Sequence, residues 1–540
     1  MAADLSQARV LVADDAPTVR QSVRLTLAQA GITRVDVANS IGETRRRVRD
    51  GGYDVVLCDY HFGEGMNGQE LLEELRRSGE LSLSTIWFMI TAEAAYEKVV
   101  SVAEVGPDDY LIKPFTSAML ADRLYVAWQR KSFLRPVLDK INAGDIDGAI
   151  DAGMSALPNA GSYRFDLLRL LSNLLLQAGR LDEAKTMFEE ILGNKIVPWA
   201  KLGLAKVLAR QGNQSQAESM LQSAIVSHAQ YVDAYEELAA LYMEAGRVDE
   251  AMGVLDKCLT ISPNNVARLQ KAGNLANMMG DAGKARQLLE RAVVCGGNSS
   301  ALSPETLLQL ALAARRDNAM GDADKYLRMA QEQAKRNDSL INRAVGKMAS
   351  AIYQGKTEPL AEIEPWFTHP EFTQEAAVGF IMTADMVCPP SLLQEEANPA
   401  NPPYKWLGMI ARRFITTKHI SGMLETATGQ RHAWKDFIQQ QGQEVTEINK
   451  QGVQLMLKNR EAEAVALLLP QAEKTHNNRL MLSASHASLK YMKIGKIESS
   501  EQRHLIESVS EFIVLLRGMV DESVLLNLRK ELDGFIKKKK

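Results

Sequence analysis

The strongest constraint on how this chain folds is a spacing. Five times a glycine is followed five residues later by an alanine: Gly144 and Ala149, Gly179 and Ala184, Gly212 and Ala217, Gly246 and Ala251, Gly280 and Ala285. The alanines stand 35, 33, 34 and 34 residues apart. A unit of about 34 residues holds two antiparallel helices and their turns. The glycine belongs in the turn, where a left-handed φ costs it nothing, and the alanine where two helices approach closely. Ala205, Ala239 and Gly273 repeat this smallness on the first helix of a pair, and Tyr235, Leu238, Tyr242 and Leu255 are the larger packing residues. Pro263 ends a second helix. A single pair cannot bury its own apolar faces, so pairs must stack on pairs into a solenoid that grows without one large core.

The pattern resembles the tetratricopeptide repeat (TPR), most closely over 165–296, and implies an all-α TPR superhelical solenoid of about five or six repeats across 135–335. A further pair opens at Ser303-Pro304-Glu305, read as an N-cap serine with proline at the first helical position. Its partner, 322–335, fits through Ala323, Leu327 and Ala330, and Gly321 is one choice for its turn residue. The resemblance implies a concave groove that binds a protein or peptide ligand. Its candidate residues lie on first helices: Arg169, Asn173, Lys201, Lys206, Asn274 and Asn277.

Before the repeats, apolar runs alternate with amphipathic stretches. Arg9–Ala13, Val35–Ala38, Asp54–Cys58, Thr85–Ile90 and Tyr110–Ile112 read as strands. Thr18–Ala30, Ile41–Asp50, Gly68–Ser78, Ala94–Val105 and Ser117–Lys131 read as helices. Strict alternation predicts an α/β doubly wound, five-stranded parallel sheet with helices on both faces, and ligands beyond the carboxyl ends of its strands. Those ends carry Asp14, Asp15, Asp59, Thr91 and Lys113. Three carboxylates repel one another unless a cation sits among them, and a hard divalent ion suits oxygen donors.

The runs VLVADD, VVLCDY, MITA and YLIKPF resemble the strand ends of the response-regulator receiver domain (CheY-like, flavodoxin-like) over 7–131. The resemblance implies that Asp59 accepts phosphate from a sensor histidine kinase or phosphotransfer protein. Asp14, Asp15, Asp59 and the His61 backbone carbonyl would hold Mg²⁺; Thr91, Ala92 and Lys113 would meet the phosphate. Tyr110 would be the switch aromatic, and the bond to Pro114 cis. The loop Gly63–Gly68 departs from the family by its glycines.

Residues 336–445 read as a helical region broken by a proline-rich loop at 388–403, with Trp406 and Trp434 as core anchors. Residues 446–540 read as TPR-like helices with Asn459 in a turn and Ala464 at the periodic position. The last pair, Leu505–Leu516 and Val524–Ile536, caps the solenoid or joins a second copy as a homodimer, and the Lys537–Lys540 tail reads as solvated.

The net charge, 63 − 67 = −4, disfavours nucleic-acid binding. Four scattered cysteines fit a reducing compartment. The start of the chain lacks a signal-peptide pattern, and no run reaches the ~18 apolar residues of a membrane span. The expectation is a cytoplasmic, bacterial-type phosphorelay response regulator that signals through protein binding and has no output enzyme. The alternative is a constitutive TPR scaffold or adaptor in which the receiver is a docking module or phosphate sink.

Overall fold

A computed structural model of the chain describes residues 5–62, 66–92, 106–194, 197–297, 302–336, 339–389, 398–494, 497–517, 519–520 and 522–537. The first elements are β1 (Val10–Ala13), α1 (Pro17–Gln29), β2 (Val35–Ala38), α2 (Ile41–Gly51), β3 (Val55–Asp59), α3 (Gly68–Arg77), β4 (Ile86–Thr91), β5 (Asp109–Ile112) and α4 (Ser117–Asn142). The helix expected over 94–105 lies outside the described residues. All strands are parallel, in the order β2-β1-β3-β4-β5.

Alternation along each strand sorts the side chains between two cores. Leu11, Ala13, Val56, Cys58, Trp87 and Met89 meet Val48 of α2 and Leu71, Leu72 and Leu75 of α3. Val10, Val12, Val55, Leu57, Phe88 and Ile90 meet Val23 and Leu27 of α1 and Leu120 and Leu124 of α4. Burial on both faces is why β1, β3 and β4 read as unbroken apolar runs.

One expected break is missing. The helix ending at Lys131 and the solenoid helix expected to start near Leu134 form a single 26-residue α4, with Pro136 inside it. Leu124 and Trp128 are buried in its first half, Leu134 and Leu138 in its second. Nothing between Lys131 and Leu134 is a stop signal, so the domain boundary placed there falls mid-helix.

The chain clusters into two compact units. The first comprises Met1–Leu241, Glu250–Leu269 and Arg291–Leu302; the second comprises Tyr242–Asp249, Gln270–Glu290 and Ser303–Lys540. The repeats run through α5 (Ile146–Ala156), α6 (Arg164–Gln177), α7 (Leu181–Asn194), α8 (Pro198–Arg210), α9 (Gln214–Ser227), α10 (Val232–Glu244), α11 (Val248–Ile261), α12 (Val266–Met278) and α13 (Ala282–Gly296). The five turn glycines have φ of 73°, 67°, 82°, 76° and 79°. The five alanines that follow them are fully buried. This is a TPR solenoid built as its spacing predicts.

The later turns use asparagine. Asn318 has φ 59° and Asn459 φ 55°, and the alanines five residues on, Ala323 and Ala464, are fully buried. Gly321 lies inside the helix Met320–Arg336 and is not the turn residue. Ser303–Glu305 precede the helix Thr306–Arg316, so Pro304 is not its first residue, and the Ser303 hydroxyl bonds the Thr306 hydroxyl at 3.0 Å.

In the second unit, Trp406 and Trp434 are buried as expected. The boundary set between 445 and 446 falls inside one helix, His432–Leu457. Residues 390–397 of the proline-rich segment are outside the described residues, and a helix resumes at Tyr404 after a cis Pro402–Pro403 bond. Buried Asn477 donates to the carbonyls of Arg412, Arg413 and Ile415 while its own oxygen accepts the Arg479 and Leu480 N–H groups. Leu505, Leu516, Leu525, Leu528 and Leu532 of the final helical pair share one buried core with Leu468 and Leu480. Of the tail, 538–540 are not described. Among the described residues no helix is long and apolar enough to cross a membrane.

Candidate functional site

The register places the chemistry. β1, β3, β4 and β5 pair so that Ala13 lies opposite Cys58, Asp59 opposite Ile90, and Thr91 opposite Ile112. The residues at and just past these strand ends therefore share one edge of the sheet. Carboxylate oxygens of Asp14, Asp15 and Asp59 all lie within 4.8 Å of one another. Lys113 Nζ sits among them, 2.9 Å from Asp14 Oδ2 and 3.1 Å from Asp59 Oδ1.

Backbone donors hold the pocket in shape. The Tyr60 N–H donates to Asp59 Oδ1 at 2.9 Å, and the Ala16 N–H to Asp14 Oδ1 at 2.8 Å. The Lys113 N–H donates to the Thr91 carbonyl at 2.7 Å, which ties β5's exit to the end of β4. Gly68 opens α3 against this edge. Its N–H donates to the Tyr60 carbonyl at 2.8 Å, and a Cβ there would fall 2.2 Å from the Asp59 carbonyl oxygen. That close approach requires glycine and explains the glycine at the end of the departing loop.

Electrostatics define what the edge can hold. Three carboxylates, two of them buried, against the Lys113 ammonium leave −3 + 1 = −2, with the Arg20 guanidinium bordering the cluster on the Asp14 carbonyl at 2.6 Å. Burial pushes the Asp59 carboxyl above its ordinary range; Lys113 opposes the shift and Asp14 adds to it. Burial also works against the Lys113 charge, yet its bond to Asp14 and the attraction of Asp59 leave its pKa raised. A divalent cation would compensate the excess carboxylate charge, and the donor set, oxygens only, is the hard set that Mg²⁺ takes.

Asp14, Asp59, Thr91 and Tyr110 are buried, whereas Asp15, His61 and Ala92 are exposed at the rim. The Lys113–Pro114 bond is cis. The solenoid candidates divide differently. Asn277 is buried and donates to Gln309 on a neighbouring helix, so it serves packing. Lys201 donates to Ser223 and Ser227, and the Arg169 guanidinium stacks over Trp199. Asn173, Lys206 and Asn274 are half-buried.

Sequence reasoning missed a second polar cluster. Glu70, Glu73 and Arg77 of α3 bond Ser262, Asn265, Arg268, Asp233 and Glu236 of the repeats. Their one sequence-level trace is a helix with glutamates on two sides.

Comparison with known proteins finds matches to two segments of the chain. The sequence model described as "Response regulator receiver domain" matches residues 10–125, and that described as "Tetratricopeptide repeat" matches 202–266. The "Chemotaxis protein CheY-3" of Vibrio cholerae is 32% identical over 122 residues, covering 23% of this chain and 92% of that protein. The "Chemotaxis protein CheY" of Pseudomonas aeruginosa is 27% identical over 122 residues, covering 23% and 97%. A tetratricopeptide repeat protein from Parabacteroides merdae, solved by crystallography, aligns with 58% of this chain and 98% of its own at 16% identity and a TM-score of 0.30.

Proposed function

We propose, from the premise that the chain belongs to the response-regulator receiver family and carries a TPR array behind its receiver, that it takes a phosphoryl group on Asp59 and reports it through protein binding. The observation that carries this reading is Lys113 Nζ bridging Asp14 and Asp59 at the carboxyl edge of the sheet. Tyr60 N–H and Lys113 both engage Asp59 Oδ1, which leaves Oδ2 as the attacking oxygen. The phosphorus–nitrogen bond of a phosphohistidine donor breaks as the bond from phosphorus to Oδ2 forms. Lys113 neutralises an incoming phosphoryl oxygen, and the Thr91 hydroxyl lies at the adjacent strand end. Asp14, Asp15 and Asp59 would hold Mg²⁺, with the His61 carbonyl as a further ligand. When bound, that ion supplies the positive charge that the −2 edge lacks.

The donor is a sensor histidine kinase or phosphotransfer protein, the output is binding rather than catalysis, and the compartment is the cytoplasm. The test is Mg²⁺-dependent transfer of radiolabelled phosphate from acetyl phosphate or a kinase. Labelling of the wild type and none of Asp59→Asn supports the reading. Equal labelling of both, or none of either, overturns it, and an unlabelled wild type with an unchanged set of captured partners is the outcome expected of a constitutive scaffold.

A further inference from the structure

An amphipathic helix on a sheet normally leaves its polar face in water. α3 does not: from Gly68 to Leu75 every residue is buried, including Gln69, Glu70, Glu73 and Glu74. Glu74 is taken by Arg45 of α2 at 2.8 Å. The other carboxylates meet the repeats, within the first compact unit. Glu70 Oε1 accepts the Ser262 hydroxyl at 2.8 Å and the Asn264 N–H at 3.1 Å. Glu73 Oε2 accepts Arg268 Nη2 at 2.5 Å and Asn265 Nδ2 at 3.4 Å. Arg77 reaches Glu236 at 2.9 Å and Asp233 at 3.2 Å.

The receiving surface is built from the first turns of α10 and α12, the leading helices of successive repeats, and from the loop between α11 and α12. Arg268 is its centre: 2% exposed, bonded to Glu73, to Glu236 and to the Ser262 hydroxyl. Without α3, that guanidinium would face Glu236 and an open carboxylate position. The polar contacts flank an apolar patch, in which the repeats add buried Val266 and partly buried Cys295 and Leu302 to the α2–α3 core.

We propose that this surface is a receptor for an acidic helix, filled here by the chain's own α3, and that an outside helix with two carboxylates one turn apart competes for it. The contact also reaches the phosphoacceptor. Glu70 accepts the Asn67 N–H with its second oxygen and so closes the capping box of α3, and Gly68 rests on the Asp59 carbonyl. A shift at Asp59 therefore moves the helix that plugs the receptor. This coupling rests on the function proposed above; the receptor itself does not.

The experiment uses the full chain and a fluorescein-labelled peptide of residues 66–79, read by anisotropy. Vacating a site that is nine-tenths filled in cis lowers the apparent Kd about tenfold. Glu70→Gln with Glu73→Gln, which keeps the side-chain shape and a cap-competent residue, is expected to bind the peptide about tenfold more tightly than the wild type. Arg77→Gln, at the exposed edge, should give a smaller gain in the same direction. A peptide with glutamine at both positions should bind none of the three proteins. Equal affinity for all three proteins, no binding to any, or equal binding of the glutamine peptide overturns the proposal. Beryllofluoride with Mg²⁺ should tighten peptide binding to the wild type and leave Asp59→Asn unmoved. An unmoved wild type that acetyl phosphate still labels sinks the coupling alone, whereas an unlabelled one sinks the phosphorylation reading and leaves the peptide titration to judge the receptor.

Discussion

Gly68→Ala is the sharpest perturbation of the site that leaves every charged group in place. The new Cβ would lie 2.2 Å from the Asp59 carbonyl oxygen and 3.1 Å from both Cys58 Sγ and Met89 Sδ. Carbon–oxygen contacts settle at about 3.3 Å, so α3 or the end of β3 must retreat by about 1 Å. The obstacle is backbone, which has no rotamer to give. Overpacking of this kind costs about 1–3 kcal/mol. Stretching the 2.8 Å bond from the Gly68 N–H to Tyr60 adds about 1 kcal/mol. Alanine's better helix propensity returns up to about 1 kcal/mol. The net expectation is about 1–3 kcal/mol of destabilisation, confined at first to the receiver. Native-state hydrogen exchange reads it locally: amides of β3 and β4 should exchange about 5- to 150-fold faster, since about 1.4 kcal/mol is a factor of ten. Phosphate transfer to Asp59 should slow as well, because its backbone has moved. Unchanged or slower exchange in these strands refutes the close approach and with it the mechanical link from Asp59 to α3.

Three further outcomes are expected. Arg268→Met should destabilise the first unit by about 3–5 kcal/mol, because Glu73 and Glu236 are left buried without their cation; adding Glu73→Leu should recover part of that loss, and a double variant less stable than the sum of its singles would count against the pairing. Asp108→Asn should cost a similar amount at neutral pH. Burial works against the Asp108 charge, but Lys131, Arg76 and Arg130 hold its pKa below the ordinary value of 3.8. The stability it contributes is thus present above pH 3.8 and lost as pH falls through the lower folded value. Denaturation of wild type and variant across pH should show their difference shrinking only in that acid range, and a difference that shrinks on raising pH would refute the sign. Asn459→Val should cost about 1–2 kcal/mol and Asn459→Gly little, since the φ of 55° suits glycine and penalises a β-branched residue; thermal melts that rank the two alike would refute this turn geometry.

Much of this architecture is legible because the strands are buried on both faces and the chemistry sits immediately after them. Asp14, Asp59, Thr91 and Lys113 are found by reading one residue past an apolar run. The turns at Gly144 to Gly280 are legible for a similar reason, since glycine announces a left-handed φ. Asn318 adopts that φ without announcing it, beside a Gly321 that suggests another turn, whereas Asn459 is legible because Ala464 stands five residues on. The break expected after Lys131 fails because Pro136 falls inside α4, while no glycine or proline stands between 131 and 134 to stop it. The contact of α3 with the repeats is the least legible. Glu70 and Ser262 are 192 residues apart and Glu73 and Arg268 are 195 apart, and no local period encodes a pairing at that range.

That contact changes what the acidic edge can accomplish. A phosphoryl group on Asp59 would act on charges within a few ångströms, whereas a solenoid presents its partners to surfaces far along the chain. α3 is a short rigid element between the two: its first residue touches the Asp59 backbone, its third closes its own cap and grips Ser262, and its sixth occupies Arg268. Three carboxylates (Glu73, Asp233, Glu236) share two guanidiniums (Arg77, Arg268), 2 − 3 = −1, while Glu70 is held by the neutral donors Ser262, Asn264 and Asn67. Such a contact is sensitive to displacement, because each buried group that loses its partner without regaining water is costly. Under the coupling proposed above, the receiver would need only to loosen the contact of α3 with the repeats.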